Sequence, residues 1–279
     1  MGALVNQPIP ALLERLASAD PEERRRACLA AVESPSAISL ADALAKALGD
    51  PEKAVARAAS DALVEIGTRM GGVERALREA LRSDVPSRRW GAAFTAARIE
   101  PPGPGLLPPL VEALESPDGD VRWAAARLLV ETGRLHAEVM PLLLAMVRSG
   151  ERAVQRRMAT FALRELAPDR MEAAEVLLEA TRDTDLQVRR AAFTAMASLT
   201  APAPGIATRL LEALHQDDDA ASRRLAALSL GEIGRANPRA ISPEAIGQLR
   251  DQEQRCQDPD LRRAIQRALG RISIPDGAG

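Results

Sequence analysis

Residues Gly105–Gly133, GLLPPLVEALESPDGDVRWAAARLLVETG, hold one complete structural unit of this chain. Leu106, Leu107, Leu110, Val111 and Leu114 form an apolar stripe at helical spacing, which predicts a first helix. Ser116-Pro117 or Asp118 then starts a second. An oxygen at the cap accepts from orphan amides, and proline at the first helical position gives up no needed hydrogen bond. Asp20-Pro21, Asp50-Pro51 and Asp258-Pro259 repeat this punctuation. Gly67, Gly133 and Gly234 are expected to close second helices as left-handed C-caps. No window shows the two-residue alternation of a strand.

The unit recurs. Aligned on the residues that close each second helix, the chain reads Pro35, Gly67, Ile99, Gly133, Ala167, Thr200, Gly234 and Ser273, spaced 32 to 34 residues and 39 at the last step. A fixed period in this range marks a stacked array. The expected domain is a single all-α array over 1–274, with repeats at about 8–35, 38–67, 70–99, 105–133, 137–167, 171–200, 205–234 and 242–273. The Pro/Gly-rich joints at 100–105 and 201–205 read as turns between repeats. The polar first helix of the last unit, with Gln248, Arg250, Asp251 and Glu253, suits a capping repeat. Residues 275–279 are expected to be a disordered tail.

Two columns of arginine run through the array. Eleven residues before each closer stand Arg24, Ala56, Arg88, Arg122, Arg156, Arg189, Arg223 and Arg262. Ten before stand Arg25, Arg57, Arg89, Trp123, Arg157, Arg190, Arg224 and Arg263. Each column is arginine in seven of eight units, which excludes chance.

Composition narrows the functional classes. Hydrophobic residues make up 46% of the 279 residues, aromatics only 2%, and tyrosine is absent. The core is therefore built from alanine, leucine and valine, which form helices and let them pack closely. The net charge of -2 excludes polyanion binding by bulk charge. Cys28 and Cys256, at opposite ends of the array, are expected to be free thiols in a reducing compartment. The start lacks the pattern of a signal peptide, and Asn6 stands where myristoylation needs Ser or Thr. No apolar run is long enough to span a membrane. The expected location is cytoplasmic.

Asp185-Leu186-Gln187-Val188-Arg189-Arg190-Ala191-Ala192 and Leu230-Gly231-Glu232-Ile233-Gly234 carry a family resemblance. The unit resembles a HEAT repeat, in the short form also seen in phycobilisome-lyase-like proteins, over about residues 8–273. The resemblance implies a right-handed α-α superhelix, a HEAT-like solenoid of about eight helix pairs whose second helices line the concave face. Ala56 and Trp123 depart from the arginine pattern, and the first, third and fifth units are degenerate.

Helical geometry separates the columns. Ala27, Ala59, Gly91, Ala125, Ala159, Ala192, Ala226 and Ile265 mark the tightest packing. At about 100° per residue, the first arginine column lies at the core margin, where the resemblance implies pairing with a turn aspartate, as in Asp183 with Arg189 or Asp217 with Arg223. The second column points away from the core, beside an apolar strip that includes Leu29, Val64, Ala93, Val130 and Phe161. The candidate binding groove is therefore Arg57, Arg89, Trp123, Arg127, Arg157, Phe161, Arg190 and Arg224. Trp90 falls in a flanking column with Met158 and Leu225 and is expected to pack between repeats.

No catalytic constellation emerges. His136 and His215 are isolated, and neither has a Cys or His at metal spacing. Walker, G-x-G-x-x-G and G-x-S-x-G motifs are absent. Asp217-Asp218-Asp219 lacks the alternating ligands of a calcium loop. The expected function is a non-catalytic scaffold, with no cofactor or metal, holding an acidic and apolar protein segment. Two alternatives stay open. One is nucleic-acid binding, resembling the HEAT-like DNA alkylation-repair glycosylases, although no aspartate is paired with a concave tryptophan so as to act on a flipped base. The other is a chromophore-lyase-like enzyme.

Overall fold

The computed structural model describes residues 8–272. Among them the secondary structure is sixteen α-helices and three short 3-10 turns, with no strand. The chain divides into two compact units, Met1–Leu135 and His136–Gly279. Both Pro/Gly joints lie inside a unit, and the expected disordered tail falls outside the described residues.

The first unit holds four helix pairs: α1 (Ile9–Leu16) with α2 (Pro21–Val32), α3 (Ala41–Ala47) with α4 (Lys53–Met70), α5 (Glu74–Ala80) with α6 (Pro86–Ile99), and α7 (Leu107–Ala113) with α8 (Gly119–Leu135). The second holds α9 (Val139–Ser149) with α10 (Ala153–Leu166), α11 (Met171–Ala180) with α12 (Leu186–Met196), α13 (Ile206–Gln216) with α14 (Ala220–Ala236), and α15 (Pro243–Arg255) with α16 (Pro259–Arg271). Within each unit, second helices pack on second helices, as α2 on α4 and α14 on α16. This is an all-α helical-repeat solenoid fold.

Local chemistry starts the helices after Asp20-Pro21 and Asp258-Pro259 as the punctuation predicts, but α4 starts at Lys53 behind Glu52, which makes no cap bond, so Asp50-Pro51 lies ahead of its helix. Asp20, Asp185, Asp219 and Asp258 each accept from amides in the first turn of the helix that follows. The glycine C-caps are a different matter. Positive φ occurs only at Gly71, Gly72 and Gly205 among the described residues, and Gly67, Gly133 and Gly234 lie inside α4, α8 and α14. At Gly67 and Gly234 the absent side chain serves packing instead of a turn. A Cβ on Gly234 would sit 2.6 Å from Ile272 Cγ1, and one on Gly67 would sit 2.9 Å from Ile99 Cδ1.

The small-residue column is the floor of the core. Ala27, Ala59, Ala125, Ala159, Ala192, Ala226 and Ile265 are fully buried. The exception is the third repeat. There Ala92, not Gly91, is fully buried, along with Ala93. Helix α6 is rotated by one residue from the expected register, because Gly91 is pressed against the preceding turn. Its Cβ would lie 2.9 Å from the carbonyl oxygen of Leu48.

Candidate functional site

The core-margin arginines form a ladder along the turns. One guanidinium nitrogen donates to the backbone carbonyl six residues earlier, in the turn of the same repeat. Arg24 reaches Ser18 at 2.9 Å, Arg156 reaches Gly150 at 2.8 Å, Arg189 reaches Asp183 at 3.2 Å and Arg223 reaches Asp217 at 2.7 Å. Arg122 and Arg262 do the same to Ser116 and Cys256. In Arg24, Arg156 and Arg189 the rest of the fork also reaches the turn aspartate of the next repeat. Arg24 grips Asp50 at 2.7 and 2.9 Å, and Arg156 grips Asp183 at 2.7 and 2.8 Å. Arg189 contacts Asp217 and Asp218. The expected Asp183–Arg189 and Asp217–Arg223 contacts are thus made through the aspartate carbonyl, while each carboxylate serves the preceding repeat.

Burial alone would raise the Asp183 carboxyl. Hydrogen bonds from Arg156 and the Asp185 amide, with two nearby guanidinium charges, hold it below the ordinary range.

The rotation of α6 changes which residue is which. Arg89, expected on the outward face, makes the ladder contacts: it donates to the Ser83 carbonyl six residues back and forks onto Glu112. The outward position of this repeat belongs to Trp90, which is half-buried. At Ala56 the ladder is missing its arginine altogether.

At that gap a groove of about 870 Å³ opens in the first unit. Its floor is α6, through Trp90, Gly91 and Phe94, with the Trp90 and Phe94 ring centroids 5.4 Å apart. One wall is α4, with Ala56, Arg57, Ser60 and Asp61, and the other is α8, with Asp120, Val121 and Ala124. Helix α6 packs broadly on α4 and barely on α8, which leaves the floor open. Arg98 lies 5.6 Å over the Phe94 ring and donates to Asp61 at 2.8 Å. An ion pair between Lys53 and Asp118 joins the start of α4 to the start of α8. Arg57 is exposed and has no ion-pair partner among the described residues.

The comparisons follow from this architecture. A family model described as HEAT repeats matches residues 9–93 and 74–164. The chain belongs to the HEAT-repeat family. A crystal structure of importin beta is similar, with TM-score 0.60 and 16% identity over 95% of this chain, which spans 40% of the importin chain. The X-ray structure of YibA from Escherichia coli is also similar, with TM-score 0.55 and 17% identity over 95% of this chain and 93% of that one. An engineered protein aligns at TM-score 0.46 and 22% identity, over 95% of this chain and 78% of that one. No curated protein matches the sequence.

The remaining candidates are spread over other HEAT repeats. Trp123, 50% exposed, and Arg127, also exposed, lie one turn apart on α8. In the second unit, Arg157 and Phe161 are half-buried on α10, with the Arg164 guanidinium 5.0 Å from the Phe161 ring centroid. Arg190 is engaged: it grips the α14 cap Asp219 at 2.9 and 2.6 Å. That hydrogen bonding holds the Asp219 carboxyl far below its ordinary range. Arg224 lies 3.5 Å from Asp260. Of the expected strip, Ala93 and Val130 are buried. Sequence reasoning missed Trp90, Phe94 and Arg98 through the one-residue rotation of α6. The six-residue reach from ladder arginine to turn carbonyl would have revealed it, since Ser83 precedes Arg89 as Ser116 precedes Arg122. Among the described residues no group of His, Cys, Asp or Glu is placed to hold a metal ion, and no helix is long and apolar enough to cross a membrane.

Proposed function

We propose that this HEAT-repeat protein is an interaction scaffold that holds a segment of a protein partner in the groove over α6. The reading is carried by one observation: two of the chain's few aromatic rings, Trp90 and Phe94, floor an open groove beside an arginine with no acid of its own. The part of each ring left open to the groove contributes nothing to the monomer's stability, whereas aromatics beside arginine are the usual anchors of protein interfaces. The apolar rings seat apolar side chains of the partner, and Arg57 takes a carboxylate.

A phosphate backbone suits the groove poorly. Lys53, Arg57 and Arg98 are outnumbered in its lining by Asp50, Asp61, Glu112, Asp118 and Asp120. Nucleic-acid binding needs uncompensated positive charge. Trp123 and Arg127 extend the candidate surface within the first unit, Arg157 and Phe161 are separate candidates in the second, and Arg190 and Arg224 are better explained as ties between repeats.

Native pull-down with mass spectrometry supplies candidate partners, and calorimetry with the purified partner tests the site. Trp90→Ala is expected to weaken binding by roughly 2 kcal/mol or more, and Arg57→Glu to weaken it with no change in helicity. A partner that binds both variants as tightly as the native protein overturns the assignment.

A further inference from the structure

The groove is bipolar, and the third repeat is the reason. In the second unit, outward arginines meet acids at the start of the next second helix, as Arg190 meets Asp219 and Arg224 meets Asp260. Two other outward arginines are neutralised within their own helix, Arg25 by Glu22 and Arg263 by Asp260. Arg157 has no ion pair among the described residues, yet the cap that follows it is an acid, Asp185. The third repeat supplies neither half of this pattern. Helix α6 is capped by Val85 and has no acid in its first turn, so nothing answers Arg57. Trp90 occupies the outward position where an arginine would answer Asp120, in the first turn of α8. The other charged groups of the lining are paired: Lys53 with Asp118, Arg98 with Asp61, Asp50 with Arg24 and Glu112 with Arg89. A lone cation is left on the α4 wall and a lone anion on the α8 wall, with the aromatic floor between them.

We infer that the occupant of the groove is an amphipathic protein segment whose apolar stripe is flanked by acidic residues on one edge and basic residues on the other, the acidic edge against Arg57 and the basic edge against Asp120. This rests on the reading of the groove as a protein-binding site and adds the charge pattern of the partner and its direction. The rings contribute attraction without orientation. Opposite charges on the walls reject a segment laid in the reverse sense, because like charges would then face each other.

The test uses the full-length protein and three synthetic helical peptides with one leucine stripe. Their flanks are Glu on one edge and Arg on the other, Glu on both, or Arg on both. Affinity is measured by calorimetry, and occupancy of the groove by the Trp90 indole resonance, assigned with Trp90→Phe. The native protein is expected to prefer the mixed peptide by about tenfold over either of the others. Arg57→Glu should shift the preference to the Arg-flanked peptide, and Asp120→Lys to the Glu-flanked peptide. Circular dichroism checks that both variants fold. One preference order shared by all three proteins, with the Trp90 resonance shifting, overturns the bipolar proposal and leaves the groove standing. If no peptide shifts the Trp90 resonance, the groove reading falls with it.

Discussion

Arg156, Arg190 and Arg57 all begin second helices, yet their surroundings give them three different weights. Arg156 and its partner Asp183 are 15% and 10% exposed, so removing the guanidinium strands a carboxylate in a poorly hydrated turn. Arg156→Ala should destabilise the second unit by about 2–3 kcal/mol in urea unfolding. Arg190→Ala should cost about 1 kcal/mol, since its pair with Asp219 is partly solvated. Arg57→Ala, with no pair to lose, should leave the unfolding midpoint unchanged within about 0.5 kcal/mol. Equal shifts for all three would refute the ladder as the source of the difference. The Asp219 carboxyl also makes stability depend on pH. Its folded pKa is depressed, so its contribution is fully present above the ordinary aspartate value of about 3.9 and is lost as pH falls below that. Asp219→Asn should lower the melting temperature most at neutral pH, where the contribution is fully present, and should flatten the acid limb of the profile below about pH 4. Cys28 is fully buried, and burial pushes its thiol up to about 12, so a thiol reagent should reach it only when the first unit opens.

At the scale of the helix, the informative element is α6. Its rotation was hidden because Arg88 and Arg89 fill both expected columns equally well, and either register keeps the spacing of the repeats. Packing breaks the tie: Gly91 lies against Leu48, and Ala93 is buried where Leu29, Asp61 and Arg127 of other repeats are exposed. The remaining second helices follow their sequence pattern, because alanine recurs where neighbouring backbones come closest. Ala192→Leu should therefore cost about 1–3 kcal/mol by overpacking a fully buried site. Gly231→Ala should also destabilise, as its Cβ would lie 2.7 Å from the Ala268 Cα in α16. Ala56→Arg asks a different question. It restores a rung toward the third repeat at the edge of the groove, so we expect a gain of about 1 kcal/mol in stability together with weaker partner binding. A variant that gains stability and binds as before would show that the gap in the ladder has no part in opening the site.

For the molecule as a whole, charge is balanced locally as well as globally. The net charge of -2 arises from arginines and acids that are mostly spent on one another between successive repeats. Such a surface gives little long-range attraction to a polyanion. Fluorescence anisotropy with a labelled DNA duplex should show no binding at about 150 mM salt. Tight binding with a steep inverse salt dependence would reverse the choice between protein and nucleic acid.

The period near 33 residues, the capping aspartates and the alanine column determine the helix-pair array from sequence alone, because each is a local or near-neighbour requirement that every repeat must meet. The same regularity exposed Ala56 and Trp123 as departures. What only the tertiary structure decides is how charges are shared and where the regularity fails. A guanidinium can reach several acids, and whether Arg190 is bound and Arg57 left open depends on which residue caps the next helix once the repeats are stacked. The groove depends on a single residue of helix rotation, set by the contact of Gly91 with the preceding repeat and by no property of α6 by itself.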